Sequence, residues 1–222
     1  LMGWATLDNS TGTAFEQARV RLVAGSPAGR GDMHLARQAM TMEADTPSEQ
    51  AEGDYRLYML DGEVDLGDAQ RSQLPLFRET RLPMEREYRM QTAIRGQAAA
   101  GERRQPVTVH LRFDNTSEDG NRALPAGTAR VYQGDSSGEP LFLGEDRLPA
   151  TTAGGEVELT VGTAFDVTAT REQTAYRRLG ERAEEQAWSI RLRNTLDRDV
   201  RIRVVEQIIG DWTLLDASRD PL

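Results

Sequence analysis

The sequence contains no cysteine and no lysine, and these two absences exclude whole classes of chemistry. Without cysteine there is no disulfide and no thiolate ligand for a metal. Without lysine there is no Schiff base, no phosphate-loop lysine and no Ser-x-x-Lys nucleophile. All 27 basic residues are therefore arginine. The lack of cysteine does not fix a compartment, because periplasmic and cytosolic proteins can both lack it.

Long apolar runs and an excess of positive charge are also missing. No apolar run approaches the roughly 18 residues of a membrane-spanning helix, so we expect no direct membrane insertion. The formal net charge is −9. Arginines alternate with apolar residues, as in Arg19 to Leu22, which predicts that they are spread over solvent-facing strand surfaces. Because an acidic surface repels phosphate backbones, nucleic acid is not expected as a partner.

Apolar residues recur at every second position through most of the chain, which is the spacing of half-buried β-strands. The runs are short and are bounded by Gly, Asn, Asp or Pro. They predict an all-β fold made of antiparallel β-sandwich modules. The clearest runs are Val107 to Phe113, Val157 to Val161, Trp188 to Leu192 and Val200 to Val204.

A recurring unit consists of a strand that ends in asparagine, a polar turn and a second strand. It occurs at Asn9, Asn115 and Asn194. Asparagine at a strand end hydrogen-bonds the local backbone, so we predict that these side chains cap turns. The irregular spacing of the units favours antiparallel sandwiches over a solenoid.

The small, polar and aperiodic stretch Gly96 to Gln105 predicts a boundary. Residues 1–100 would form an N-terminal β module with a long loop around 26–54, which could include a short helix over His34 to Met42. Residues 104–222 would form an immunoglobulin-like β-sandwich. About five strands are expected before the boundary and about seven after it. Arg171 to Gln186 has a helix-favouring composition, but it links two strand-like runs and is interpreted as a long hairpin.

Two motifs imitate functional sites. Gly134 to Gly138 fits the G-x-S-x-G nucleophile elbow with Ser136 at its centre. The elbow requires a following helix, whereas a strand-like run follows here, so a hairpin turn is the better interpretation. Asn115 to Gly120 begins like a calcium loop, but the position that needs a bidentate glutamate is Ala126, so a solvated turn explains it more simply.

Three other patterns resemble functional motifs but have simpler, non-functional explanations. Arg30-Gly31-Asp32 imitates an integrin-binding tripeptide, and chance accounts for it in this composition. Asn9 and Asn115 also match glycosylation acceptors, but the turn interpretation already accounts for them.

Histidines and carboxylates are the remaining candidates for chemistry. His34 and His110 lie far apart in sequence, and we expect both to be exposed. Asp61, Glu63 and Asp65 occupy alternate positions, so they are predicted to share one strand face, where paired carboxylates could act as acid and base. With 36 acidic residues a solvated face is the simpler reading. We therefore predict no catalytic, cofactor-binding or metal-binding residues.

Several segments follow one another in a specific order: Leu124 to Tyr132, Leu143 to Asp146, Val161 to Val167, and Gly210 to Trp212. This succession resembles the C-terminal domain, of unknown function, of the bacterial mucoidy-inhibitor-A-like family. Gly3 to Gly25 resembles the opening of that domain, and Tyr55 to Phe77 resembles its paired central strands.

The resemblance implies particular roles for the motif residues. Leu124 to Gly127 would be a turn that enters a strand. Phe165 and Val167 would be core residues, and Asp166 between them would hydrogen-bond at a turn or at the surface. Family members usually continue with closing strands after the position of Trp212, so we expect the last sheet to keep an open edge.

The resemblance also implies the C-terminal part of a periplasmic or other cell-envelope protein, with an N-terminal β domain and a coiled coil upstream, so we expect this chain to be a fragment or processed product. The favoured function is a non-enzymatic binding or assembly module. Its partner would be an envelope protein or a second copy of the chain. The alternatives are a carboxylate-dependent hydrolase of envelope polysaccharide and a purely structural head domain.

Overall fold

The structure is a computed structural model that describes residues 1–24, 50–52, 55–77, 81–116, 123–135 and 137–219. Within these ranges the chain forms sixteen strands and no helix, which confirms the all-β prediction. The strands are β1 (Gly3–Asn9), β2 (Phe15–Ala18), β3 (Arg21–Ala24), β4 (Gln50–Glu52), β5 (Tyr55–Met59), β6 (Val64–Leu66), β7 (Gln70–Phe77), β8 (Glu85–Ile94), β9 (Arg103–Gln105), β10 (Val107–Asp114), β11 (Gly127–Gly134), β12 (Pro140–Leu148), β13 (Glu156–Thr163), β14 (Val167–Arg178), β15 (Glu184–Asn194) and β16 (Ile202–Ile208).

Several predicted features lie outside the described residues. These are the helix over His34 to Met42, the Arg30-Gly31-Asp32 tripeptide, and most of the predicted loop 26–54. At the end of that loop the prediction was wrong, because β4 is a strand that pairs antiparallel with β5.

The chain divides into two compact units that interleave along the sequence. The first comprises Leu1–Pro83, Phe113–Gly127 and Leu148–Val157; the second comprises Met84–Arg112, Thr128–Arg147 and Glu158–Leu222. This division differs from the predicted boundary between residues 100 and 104. The physical reason is that β8 pairs with both β10 and β16, so a cut at that boundary would split one sheet.

The first unit contains three small sheets. β1 pairs antiparallel with β7, β2 pairs with β6, and β5 lies between β3 and β4. Tyr58 is buried at 5% exposure, and its hydroxyl donates to the carbonyl oxygen of Ala123 at 3.1 Å. Leu124, also buried, forms a bridge with Thr151. The predicted turn from Leu124 into a strand is confirmed, since β11 begins at Gly127.

The second unit is organised around two sheets. One has the order β13-β10-β8-β16, and the other has the order β15-β14-β9. A further ribbon consists of β11 and β12. Most pairs are antiparallel as predicted, but β16 runs parallel to β8. A parallel neighbour cannot be reached through a tight hairpin, and β16 is reached from β15 in the other sheet.

The core of the second unit lies between its two sheets. Tyr88, Met90 and Val107 from the first sheet form one buried cluster with Val167 and Ala169 from the second. Shared burial of two inner faces is the defining feature of a sandwich, and the immunoglobulin-like arrangement stays a prediction. Val167 is 1% exposed, as predicted for a core residue. Phe165 was wrongly predicted to be buried: it is 87% exposed, because it lies in the bend before β14 and not in a strand.

The three predicted asparagine turns are confirmed. The side-chain amide of Asn9 donates to the carbonyl of Thr13 at 2.8 Å, that of Asn115 to Thr152 at 3.1 Å, and that of Asn194 to Arg198 at 2.8 Å. Each of these asparagines lies at the end of β1, β10 or β15, and the next strand belongs to a different sheet. The asparagine turns are therefore corners between sheets, where the amide replaces the backbone pairing that a hairpin would supply.

The predicted hairpin over Arg171 to Gln186 is confirmed. β14 and β15 pair antiparallel from Val167 opposite Asn194 to Arg178 opposite Glu184, with one register shift between Gln173 and Ala175. Cross-strand pairing of alternating polar and apolar residues overrides the helical preference of the composition.

Candidate functional site

The segment Gly134 to Gly138 forms the turn between β11 and β12, as predicted. The carboxylate of Asp135 accepts hydrogen bonds from the hydroxyl of Ser137 at 2.6 Å and from the amide groups of Ser137 at 2.8 Å and Glu139 at 3.0 Å. The Ser137 hydroxyl is the main cause that lowers the pKa of Asp135. Ser136 itself lies outside the described residues, and a strand follows this turn where the nucleophile elbow needs a helix.

The predicted carboxylate face at residues 61–65 does not form. β6 begins only at Val64, so Asp61 and Glu63 precede the strand and the alternation does not apply to them. Glu63 lies 3.4 Å from Arg19, and Asp65 accepts a 2.8 Å hydrogen bond from the backbone amide of Gln17.

Both asparagines that match glycosylation acceptors are buried, at 8% exposure for Asn9 and 5% for Asn115. Their amides are engaged in the corner turns, which favours the structural interpretation. The predicted hydrogen bonding of Asp166 is confirmed, since its carboxylate accepts a hydrogen bond from the hydroxyl of Thr195 at 3.3 Å. Most of the calcium-like stretch after Asn115 lies outside the described residues.

His110 was wrongly predicted to be exposed, because it is only 7% exposed. It lies on the outer face of β10, where its Nε2 is 2.8 Å from the hydroxyl of Thr108 and its Nδ1 is 3.1 Å from Glu158. Neighbouring side chains on β8 and β13 cover the ring, so a position on the polar face does not amount to exposure.

His110 belongs to a network of charged side chains that we call the Arg89 cluster: Glu87, Arg89, His110, Arg112, Glu158 and Arg203. It spans all four strands of the sheet on the face opposite the core. The Arg89 guanidinium donates to both oxygens of Glu158 at 2.7 and 2.9 Å and to Glu87 at 2.7 Å. Arg203 approaches Glu87 at 3.2 Å.

The electrostatics of the Arg89 cluster oppose acid catalysis. The hydrogen bond from Arg89 is the main cause that lowers the pKa of Glu158, and the hydrogen bond with Glu158 in turn raises the pKa of Arg89. A general acid near neutral pH needs a carboxyl with a raised pKa. Glu158 is therefore unsuited to act as a general acid, and the cluster is suited to joining four strands.

We predict that the Arg89 cluster makes the free energy of unfolding depend on pH in the acidic range. Because the pKa of Glu158 is lower in the folded state, its contribution is complete above its ordinary pKa of about 4.3 and is lost as the pH falls through the folded value. Glu158→Gln should therefore be less stable than the wild type at about pH 7, and the gap should narrow by about pH 3. Urea midpoints at several pH values measure this gap, and a constant gap would contradict the assignment.

The two edges of the four-stranded sheet differ. At β13, the carboxylate of Asp146 accepts a hydrogen bond from the backbone amide of Thr160 at 2.6 Å. That amide is therefore not available to pair with an added strand. At the same edge Gly144 approaches so closely that a Cβ there would lie 2.0 Å from the carbonyl oxygen of Val161. β12 thus covers β13, and this edge is protected in the way edge strands commonly are.

The edge at β16 is open within the part of the chain that the structure describes. The carbonyl of Arg201 accepts from the amide of Tyr88 at 3.2 Å. Backbone directions alternate along a strand, so the amide and carbonyl of Val204 face away from β8. Among the described strands, β16 is the terminal strand of the sheet.

Exposed apolar side chains follow directly after this edge. Ile209 is 78% exposed and Leu215 is 73% exposed, with Trp212 and Leu214 between them at 59% and 49%. We call residues 209–215 the apolar tail. An open backbone edge that continues into several exposed apolar side chains is typical of an interaction site.

In comparisons with known proteins, no family model, curated protein or solved structure matches this chain. The family resemblance therefore stays an expectation from the residues. The described part contains no helix long and apolar enough to cross a membrane. Over the same ranges, no three histidine, aspartate or glutamate side chains come together in a group that could hold a metal ion.

Proposed function

We propose that this chain is a non-enzymatic binding module that takes up an extended segment of a protein partner along β16. The observation that carries the proposal is the contrast between the two edges of one sheet, with β13 covered by Asp146 and β16 open. In strand addition the backbone supplies affinity, and alternate side chains supply specificity. The apolar tail would provide the adjoining apolar contacts.

Other edges in the second unit fit this role less well. β15 is terminal in its sheet and carries Glu184, Glu185, Arg191 and Arg193. Charges along an edge discourage the addition of a strand. β9, at the other side of that sheet, is only three residues long, and two of them are arginine. β16 carries only two charged residues, Arg203 and Glu206, and both are paired within the unit.

The favoured occupant is a basic, extended segment of a different protein. With a net charge of −9, two copies of the chain repel each other at long range, whereas a basic partner is attracted. By the family resemblance, we place this interaction in the bacterial periplasm or cell envelope.

The two alternative functions have weaker support. A carboxylate-dependent hydrolase needs one protonated carboxyl and one ionised carboxylate across a cleft. The pair that comes nearest to this, Glu87 and Glu158, binds the same nitrogen of Arg89, so both carboxylates share one cation. A purely structural head would have no use for an uncovered edge, whose exposure is a liability.

The test places a photo-crosslinking amino acid at Val204 in the full-length protein in its native cells. Thr163, which is exposed on the covered strand β13, receives the same probe as a control. We expect a crosslink to another protein from position 204 and none above background from position 163. Crosslinks only to a second copy would replace the basic partner with self-association, and equal yields at both positions would refute a role for the edge.

Two substitutions then test whether the captured partner binds by strand addition. Val204→Pro removes the outward amide, while Val204→Ala shortens the side chain and keeps that amide. We expect Val204→Pro to abolish binding in a pull-down and Val204→Ala to retain it, with similar melting temperatures. Equal binding by both folded variants would contradict backbone pairing at β16.

A further inference from the structure

A recess in the second unit is lined by three arginines and no carboxylate. They are Arg95, just after β8, Arg103 in β9 and Arg171 in β14. The recess has a volume of about 190 Å³. Its other lining residues include Trp188, Gln105 and the small residues of 98–101. A cationic lining is unexpected in a chain whose net charge is −9.

The floor of the recess is held rigidly. Arg171 is only 8% exposed and donates to both oxygens of Glu206 at 2.9 and 2.7 Å. Its guanidinium carbon lies 3.5 Å from the ring centroid of Trp188, in cation–π contact. The Trp188 ring is fixed in turn by a 3.1 Å hydrogen bond from its Nε1 to Gln186.

The rim of the recess is also fixed, by Gln173. Its amide nitrogen donates to the carbonyl of Gly96 at 3.1 Å, and its oxygen accepts from the backbone amide of Ala98 at 2.7 Å. Residues 96–98 are therefore attached to the β14–β15 hairpin. A preorganised rim lowers the entropy cost of binding.

The donors that remain free are those at the opening. Among the described residues, Arg95 and Arg103 have no carboxylate partner, and the side-chain amide of Gln105 has no hydrogen bond. The charge of Arg171 is balanced by Glu206, so Arg95 and Arg103 give the recess a surplus of two positive charges. Arginine presents planar paired donors that match the oxygens of carboxylates and phosphates.

We infer that this recess binds a small oxyanion, a carboxylate or phosphate group carried by a compact molecule. Its volume lies below the roughly 300–1,000 Å³ of sites for drug-sized ligands, which limits the ligand to about one ring or its equivalent. The free arginines bind the anionic group, and the fixed Trp188 and Gln105 contact the remainder. Glu206 of β16 holds the floor of the recess, but binding of an anion there does not depend on the proposed strand addition.

The test uses Trp188 as its reporter. Trp4→Phe and Trp212→Phe leave Trp188 as the only tryptophan, so its indole N–H gives a single signal in NMR spectra. The folded protein is titrated separately with glucuronate, inorganic phosphate and uncharged glucose. We expect a saturable shift of this signal with at least one anion and none with glucose. Saturation by glucuronate identifies a carboxylate ligand, and saturation by phosphate alone identifies a phosphate-bearing one.

Substitutions at the opening decide whether the arginines are responsible. Arg95→Gln and Arg103→Gln should each weaken binding about tenfold or more, as expected when a charge-assisted hydrogen bond is lost. Arg104→Gln removes a neighbouring exposed arginine that does not line the recess, and it should leave the affinity within about twofold. Equal losses in all three variants would show only non-specific attraction. Shifts that never saturate would refute the site.

Discussion

Met90→Ala is expected to lower the free energy of unfolding by about 2–5 kcal/mol, because it deletes a fully enclosed side chain. Met90 is 0% exposed and lies in the cluster shared by the two sheets of the second unit, beside Val107 and Val167. The loss combines the transfer free energy of the deleted atoms with the cost of the cavity that remains. A fall in the urea midpoint, followed by far-UV circular dichroism, measures the effect.

Met84 supplies the matched control, since it is 48% exposed just before β8. The same chemical change there, Met84→Ala, should shift the free energy of unfolding by no more than about 0.5 kcal/mol. Similar losses at both positions would mean that Met90 is not enclosed between the sheets.

Glu206→Gln is expected to destabilise the protein by about 3 kcal/mol or more, because it leaves the charge of Arg171 buried without a carboxylate. The pair connects β14 in one sheet with β16 in the other through two short hydrogen bonds. Arg171 is 8% exposed and the Glu206 side chain 20%, so water cannot replace the lost partner fully. Urea unfolding compares the variant with the wild type.

Two controls separate burial from charge. Arg130 and Glu145 form an exposed pair at 3.1 Å, and Glu145→Gln should cost less than about 1 kcal/mol. The double substitution Arg171→Met with Glu206→Leu replaces both charges by apolar groups of similar length, and it should recover most of the stability lost in Glu206→Gln. A double variant as unstable as Glu206→Gln would show that the ion pair is irreplaceable, contrary to this account.

Local patterns in the sequence predicted the features that depend on neighbouring residues. Alternation at Val157 to Val161 predicted a strand with one buried face, and Asn9, Asn115 and Asn194 predicted the turns that they cap. Such features follow from backbone geometry within a few residues, so they can be read without the fold.

Features that depend on contacts between distant strands could not be predicted from local sequence patterns. His110 shares its strand face with the polar residues Thr108 and Arg112, and only its position between β8 and β13 explains its burial. The family resemblance implied a core position for Phe165, but the bend before β14 places it in solvent. The parallel pairing of β16 with β8 joins residues more than a hundred positions apart, and no local pattern encodes it.

The candidate site illustrates the same limit. The sequence predicted an open edge near the C-terminus through the family resemblance, and β16 has one. The arginines of the recess gave no sequence signal, because Arg95, Arg103 and Arg171 are separated in sequence and are common in composition. Their convergence depends on β9 pairing with β14, which places residues 103–105 beside 169–171.

The unequal edges of the four-stranded sheet also restrict where further strands can be added to it. Open-ended fibres grow when each subunit offers two complementary contacts that do not close on each other. Asp146 and the close approach of Gly144 remove one of the two edges of this sheet. A strand added at β16 would therefore complete a five-stranded sheet whose other side cannot seed the next addition. Any further growth of the sheet would then have to start from the outer edge of the added strand, because β13 offers no free edge.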